Sequence, residues 1–207
     1  MNGPMTAKKG FTLIELLVVI AIIAILAVVV VLTLNPAQLL AQSRDSNRVS
    51  DFATLKSALS LYLVDAVIPN LASSSLAYNA CYLSTVTGLG TSTAKCGGMF
   101  TGTYSAGNAS ATAALYRMND SRGWLPVNFS QLSYGSPLGV LPVDPTNNAT
   151  YYYGYAATTT GGNFFELDAF MESTKFGNAS SSGNVVTTDG GDNAAIYEAG
   201  SKAGLNL

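Results

Sequence analysis

The sequence predicts an α+β fold, a long N-terminal helix laid against a small antiparallel β-sheet, and three observations predict it. From Leu16 to Leu32 every residue is apolar, and Thr33 and Leu34 extend the stretch. Farther on, Val49, Phe52, Leu55, Leu59, Tyr62, Leu63 and Ala66 recur at three- and four-residue intervals, which places them on one face of a helix. Near the C-terminal end lie two aromatic runs of strand character, Tyr151-Tyr152-Tyr153-Gly154-Tyr155 and Asn163-Phe164-Phe165-Glu166-Leu167-Asp168-Ala169-Phe170-Met171.

The first apolar segment, residues 11–34, reaches the length at which a helix crosses the hydrocarbon of a bilayer. It carries one acid, Glu15, close to its start. An ionised carboxylate at bilayer depth costs roughly 2.5 to 3.5 kcal/mol on insertion scales, so it marks a functional position that needs a partner. The chain has no Lys, Arg or His between Glu15 and Arg44, and the partner must come from elsewhere.

The residues around that acid indicate the source. Lys8-Lys9-Gly10, then Phe11-Thr12-Leu13-Ile14-Glu15, then the aliphatic run, resemble the N-terminus of bacterial type IV prepilins and of the pseudopilins of type II secretion. The resemblance implies a pilin-like fold and cleavage between Gly10 and Phe11 by a prepilin peptidase, which removes a basic leader, residues 1–10. It implies N-methylation of the new Phe11 amine, and pairing of Glu15 with the Phe11 amine of a neighbouring subunit in a homo-oligomeric helical filament. A single-pass precursor in the inner membrane, the pilus or pseudopilus assembly machinery as partners, and a mature protein in an extracellular pilus or periplasmic pseudopilus follow from the same resemblance. Physics makes the pairing credible: two unit charges at about 4 Å and an effective dielectric near 20 gain about 4 kcal/mol, comparable with the insertion penalty. An ordinary secretory signal fits less well, because the apolar run is long and no small-x-small cleavage site precedes a polar mature start. The alternative function is a monomeric, membrane-tethered extracytoplasmic binding domain that never polymerises.

Asn35-Pro36 predicts a kink or short break after the membrane segment, since proline lacks the amide donor and clashes with the preceding turn. Residues 35–68 then continue as an amphipathic helix, with Arg44, Arg48, Asp51 and Lys56 expected to face mostly outward. Pro69-Asn70 closes it, and residues 69–207 form the C-terminal globular extracytoplasmic domain. Its first part, rich in Ser, Thr, Gly and Ala, reads as loops and short strands. Cys81 and Cys96 are the only thiols, and in a chain with an export-type start they read as one disulfide, with two unpaired thiols as the alternative. Pro-containing stretches at residues 124–126 and 141–148 read as turns, and the two aromatic runs pair as a hairpin through residues 158–162. In the second run Phe165, Leu167 and Ala169 share the core face, while Glu166 and Asp168 fall on a face expected to be at least partly wet.

Composition excludes several classes of function. The chain has no histidine, and its two cysteines cannot complete a zinc site. No glycine-rich phosphate loop adjoins a basic residue, and Glu166 and Asp168 read as a solvated strand face rather than as a glycosidase pair. The chain therefore reads as a substrate of processing and not as an enzyme. Removing Lys8 and Lys9 leaves 8 basic against 12 acidic side chains, a balance that gives no general affinity for nucleic acid. One segment, Asp189-Gly190-Gly191-Asp192-Asn193, clusters hard oxygen donors on a tight loop, and Asp189, Asp192 and Asn193 are candidate calcium ligands, with a solvated turn as the alternative. No other cofactor is expected.

Overall fold

The computed structural model describes residues 10–72, 80–84, 96, 98–102, 105–106 and 115–207. The leader before Gly10 and most of the segment between the two cysteines lie outside these residues. The chain divides into two compact units, Met1–Leu39 and Leu40–Leu207.

The first unit holds helix α1 (Leu13–Leu34). Thr12, extended at φ −84° and ψ 152°, caps its start, and no residue of the helix is buried within the chain. Polar groups inside the segment are satisfied locally: the Thr33 hydroxyl donates to the Val29 and Val30 carbonyls, each at 3.0 Å. At Asn35 the backbone turns to the left-handed region, φ 41°, a conformation asparagine tolerates better than most residues. The Asn35 carbonyl then accepts the Gln38 and Leu39 amides at 3.0 and 3.3 Å. Helix α2 (Pro36–Asp65) starts there, with proline at its first position, where the missing N–H is one the helix would leave unpaired anyway. The interruption expected at Asn35-Pro36 is thus present as one left-handed residue between two helices.

In the second unit α2 packs on a five-stranded sheet. Strands β1 (Ala80–Leu83), β2 (Ser105–Ala106), β3 (Tyr153–Thr158), β4 (Phe164–Ala169) and β5 (Tyr197–Gly200) lie in the order β2-β1-β3-β4-β5. The short β2 runs parallel to β1, and all other pairings are antiparallel. The aromatic runs form the predicted hairpin, with Tyr153 opposite Ala169 and Thr158 opposite Phe164. A single turn of helix, α3 (Thr174–Gly177), follows the hairpin.

The pleat sorts the side chains into two layers. Tyr153, Tyr155, Phe165, Leu167 and Ala169 join Phe52, Leu55, Leu59 and Tyr62 of α2, together with Trp124 and Phe129, in the main core. The helix periodicity read from the sequence is therefore the packed face. The Trp124 indole N–H donates to the Pro142 carbonyl at 2.9 Å, so the two proline-bearing turns meet. On the opposite side of the sheet, Cys81, Cys96, Met99, Phe100, Tyr152, Ala156, Ile196 and Leu207 form a second apolar cluster. Cys81 and Cys96 are joined in a disulfide.

Two expectations are corrected. The face carrying Glu166 and Asp168 is not wet: the residues are 1% and 0% exposed, because the second cluster covers it. Its covering residues come from irregular segments that lack the periodicity by which a second layer would announce itself. The outward-facing charges on α2 are also corrected, since of the four only Lys56 is exposed. Arg48 is fully buried and bridges Asp45 at 2.7 Å, Asp144 at 2.6 Å and Glu172 at 2.5 Å. Asp45 itself accepts the Glu172 and Ser173 amides. Arg44 reaches the same Glu172, and Asp51 accepts the Tyr153 hydroxyl at 2.7 Å. Arg48 thereby ties α2 to the turn at Asp144 and to the end of the hairpin at Glu172.

Partial burial opposes ionisation of Glu172, but hydrogen bonds from Arg44, Arg48 and Thr146 outweigh it and hold its carboxyl at about 2, below the ordinary 4.5. A depressed carboxyl contributes stability that is complete above the unfolded value and fades as pH falls toward the folded one. Glu172→Gln should therefore cost about 1.5 to 3 kcal/mol at pH 6, with the deficit against wild type shrinking between pH 4.5 and 2, measured by circular-dichroism melts of the full chain in detergent. Reducing the bond between Cys81 and Cys96, which closes a loop of 15 residues, should lower stability by about 3 kcal/mol in the same assay.

Candidate assembly site

The start of α1 is organised by Thr12 and Glu15, whose spacing is that of a capping box. The Glu15 amide donates to the Thr12 hydroxyl at 3.3 Å, and Glu15 Oε2 accepts the Thr12 amide and the Thr12 hydroxyl, both at 2.8 Å. Two donors at the helix start are thereby satisfied by one carboxylate. Besides the expected pairing with a neighbour's Phe11 amine, Glu15 thus has a local role within its own helix, one that the Thr-x-x-Glu spacing signals. Hydrogen bonds from neutral groups ease the desolvation of the acid but leave its charge uncompensated. Among the described residues no ion pair includes Glu15, and both hydrogen bonds that its carboxylate accepts from Thr12 end on Oε2.

Around that acid everything is exposed and apolar. Phe11 is 83% exposed and Leu13 82%, and the successive residues Leu16, Leu17, Val18 and Val19, which point to all sides of the helix, are all open. Twenty-two residues span about 33 Å, enough for the hydrocarbon core of a bilayer. The helix is long and apolar enough to cross a membrane by length and composition, which fits a membrane-anchored precursor. An apolar patch of this size on a chain by itself needs lipid or other helices to cover it.

The loop proposed for calcium takes a different form from a simple ligand cluster. Asp189 accepts the Gly191 amide at 3.1 Å and the Glu198 amide at 2.8 Å, Asn193 accepts the Ala195 amide at 3.1 Å, and Asp192 accepts the Thr101 hydroxyl at 2.5 Å. These side chains close the loop onto β5 and onto the segment after Met99. Beside them the structure assembles three buried acids that sequence reading did not connect, Glu166, Asp168 and Glu198. Asp168 faces Glu198 directly across the β4–β5 pair, and Glu166 lies two residues away on the same face of β4. The missed element is β5; its signal was the short apolar stretch Ile196-Tyr197-Glu198-Ala199, with an acid at one alternate position.

Burial pushes the Glu166 carboxyl up to about 9, against the Leu207 amide that donates to it, and the charges of Glu198 and Asp192 add to the rise. Burial likewise raises Glu198 to about 7, aided by Asp189 and Asp192 and opposed by the Asn193 amide. Asp168 is raised well above its ordinary value by burial, with Glu166 and Glu198 adding to it.

Comparison with known proteins bears on the first helix. No curated protein and no solved structure matches the chain. Residues 5–31 match the family model of the prokaryotic N-terminal methylation motif, a span that contains Gly10, Phe11, Thr12 and Glu15. Through that segment the chain carries the signature of a type IV pilin-like precursor, and the motif is that of a structural subunit rather than of an enzyme.

Proposed function

We propose that this chain is the precursor of a structural subunit of a type IV pilus or pseudopilus. Prepilin peptidase cuts after Gly10, the Phe11 amine is methylated, and the mature subunit waits in the inner membrane on α1. Assembly machinery then moves it into a helical filament, extracellular or periplasmic, in which α1 exchanges lipid for the α1 helices of neighbouring copies. Glu15 pairs with the Phe11 amine of an adjacent subunit. Methylation keeps the positive charge on that amine, so the pair survives the modification.

The observation that carries this reading is the methylation motif over residues 5–31, set on a helix with no buried residue and one charged side chain. Pairing across subunits acts on register more than on affinity. A subunit offset along the filament axis would leave both an amine and a carboxylate unpaired in apolar surroundings, each at a cost of several kcal/mol. The capping arrangement is compatible with this role, because both hydrogen bonds from Thr12 fall on Oε2 and neither brings a positive charge.

Glu15→Ala should abolish filaments, or reduce them at least tenfold by electron microscopy and shear preparation, while the processed subunit persists in the membrane. Thr12→Val, which keeps the carboxylate and removes only the hydroxyl of the box, should leave filaments abundant. Equal loss in both variants would assign Glu15 to helix capping alone, and filaments undiminished in Glu15→Ala would favour a tethered monomer. Mass spectrometry of the mature chain should give Phe11 as first residue, one methyl group heavier than the unmodified amine.

A further inference from the structure

Two sets of buried carboxylates lie in the second unit, and they are compensated differently. Asp45, Asp144 and Glu172 surround Arg48, so a guanidinium supplies their counter-charge. Glu166, Asp168 and Glu198 have no such partner: among the described residues no ion pair includes any of the three. They are 1%, 0% and 1% exposed. Glu166 Oε1, both Asp168 oxygens and Glu198 Oε1 are buried without a hydrogen-bond partner.

Their arrangement is directed rather than incidental. Glu166 Oε2 accepts the Leu207 amide at 2.9 Å, and Glu198 Oε2 accepts the Asn193 amide at 2.9 Å. Each glutamate is thus fixed by a backbone amide through one oxygen, while among the described residues no amide or basic group meets the other, and the Glu166 and Glu198 carboxyls approach each other closely enough to share a proton. Asp168, wholly enclosed, has both oxygens without a partner. One oxygen from each carboxylate lies within 4.8 Å of the other two. That spacing lets one hard cation reach all three oxygens, and a cage of three protein carboxylates suits calcium, because magnesium keeps several of its waters and is usually held by one or two carboxylates. The donors are all carboxylate oxygens, which suits a hard cation and disfavours zinc, with its preference for nitrogen and sulfur.

We propose that Glu166, Asp168 and Glu198 bind a divalent cation of the calcium class, which clamps β4 to β5 and to the chain end at Leu207. The loop first considered for calcium then serves as the wall of this site. Asp189 positions Glu198 by accepting its amide, and Asp192, held by Thr101, adds negative field. Gly191 is required there, since a Cβ at that position would fall 2.0 Å from Glu198 Oε2. This site is independent of the N-terminal helix and of the filament reading.

The test is a calcium titration of the full chain in detergent at pH 7.5, after stripping with EDTA, followed by calorimetry and by thermal melts. One calcium should bind per chain and raise the melting temperature by several degrees, and magnesium should do so more weakly. Asp168→Asn should weaken calcium binding by about tenfold or more, as loss of a direct ligand must exceed the effect of losing an outer-shell contact. In EDTA the same variant should melt no lower than wild type, because an amide at this enclosed position needs neither a counter-ion nor a proton to neutralise it; should it fail to fold, Glu198→Gln is judged by the same loss of affinity. A wild-type chain that neither binds calcium nor gains stability from it would overturn the proposal and leave the three acids held by protons. Undiminished affinity in a folded Asp168→Asn or Glu198→Gln chain would overturn it too, by placing the cation elsewhere.

Discussion

A carboxylate taken out of water must be met by a cation, by several donors or by a proton, because its desolvation costs several kcal/mol in a protein interior. This chain does so at three places and meets the requirement in three ways. Arg48 sits among Asp45, Asp144 and Glu172 and supplies the charge from within the fold. Glu166, Asp168 and Glu198 converge without a basic partner among the described residues. Glu15 is satisfied in hydrogen bonds by Thr12 but not in charge. The location of the missing positive charge decides what each site does: the first holds the fold together, while the other two call for something outside the chain.

How much of this was legible in the sequence depended on how far apart the interacting residues are. Helix α1, the interruption at Asn35-Pro36, the packed face of α2 and the hairpin of β3 and β4 each rest on neighbours a few residues away, and local pattern was enough for them. Arg48 was read as outward-facing because a charge on a helix is usually solvated, and its partners Asp144 and Glu172 are 96 and 124 residues distant. Helical spacing does set Arg48 apart, since it lies four residues before Phe52 and seven before Leu55 on the line of the apolar stripe, while the exposed Lys56 lies at its margin. What α2 alone does not show is the pair of distant acids that lets a guanidinium be buried there. The same limit explains Glu166 and Asp168. Alternation correctly placed them opposite Phe165 and Leu167, but that their face is covered depends on Met99, Phe100, Ile196 and Leu207, drawn from irregular segments far along the chain. At the acidic loop, Asp189 and Asp192 stand out in the sequence, but that they lie beside Glu166 and Asp168 depends on strand β5 and its Glu198, which the local pattern did not reveal.

The two buried acid sets also divide the labour of holding the second unit. Arg48 links α2 to the turn at Asp144 and to the segment after β4, on the helix side of the sheet. The acidic trio links β4, β5 and the last residue on the opposite side, where the disulfide between Cys81 and Cys96 also lies. The helix side has a broad aromatic core around Phe52, Tyr153 and Trp124. The opposite side has a smaller cluster, and it is there that the covalent cross-link and the unmatched carboxylates are found. A thin apolar layer contributes less burial free energy, so cross-links of other kinds contribute a larger share of its stability.

The same reasoning separates what the second unit needs from what α1 needs. The second unit encloses a broad aromatic core and matches the charges around Arg48 internally. Helix α1 does neither: its aliphatic side chains are exposed along its whole length, and its one acid has no ion-pair partner among the described residues. Lipid can cover the aliphatic surface, yet lipid supplies no cation at a defined height along the helix. A second copy of the chain can supply both, an aliphatic face and, once Gly10 is removed, an amine one turn before the acid. In the proposed filament an acid placed there specifies a neighbour, and on that reading its position four residues after Phe11 carries more information about function than the apolar run that follows it.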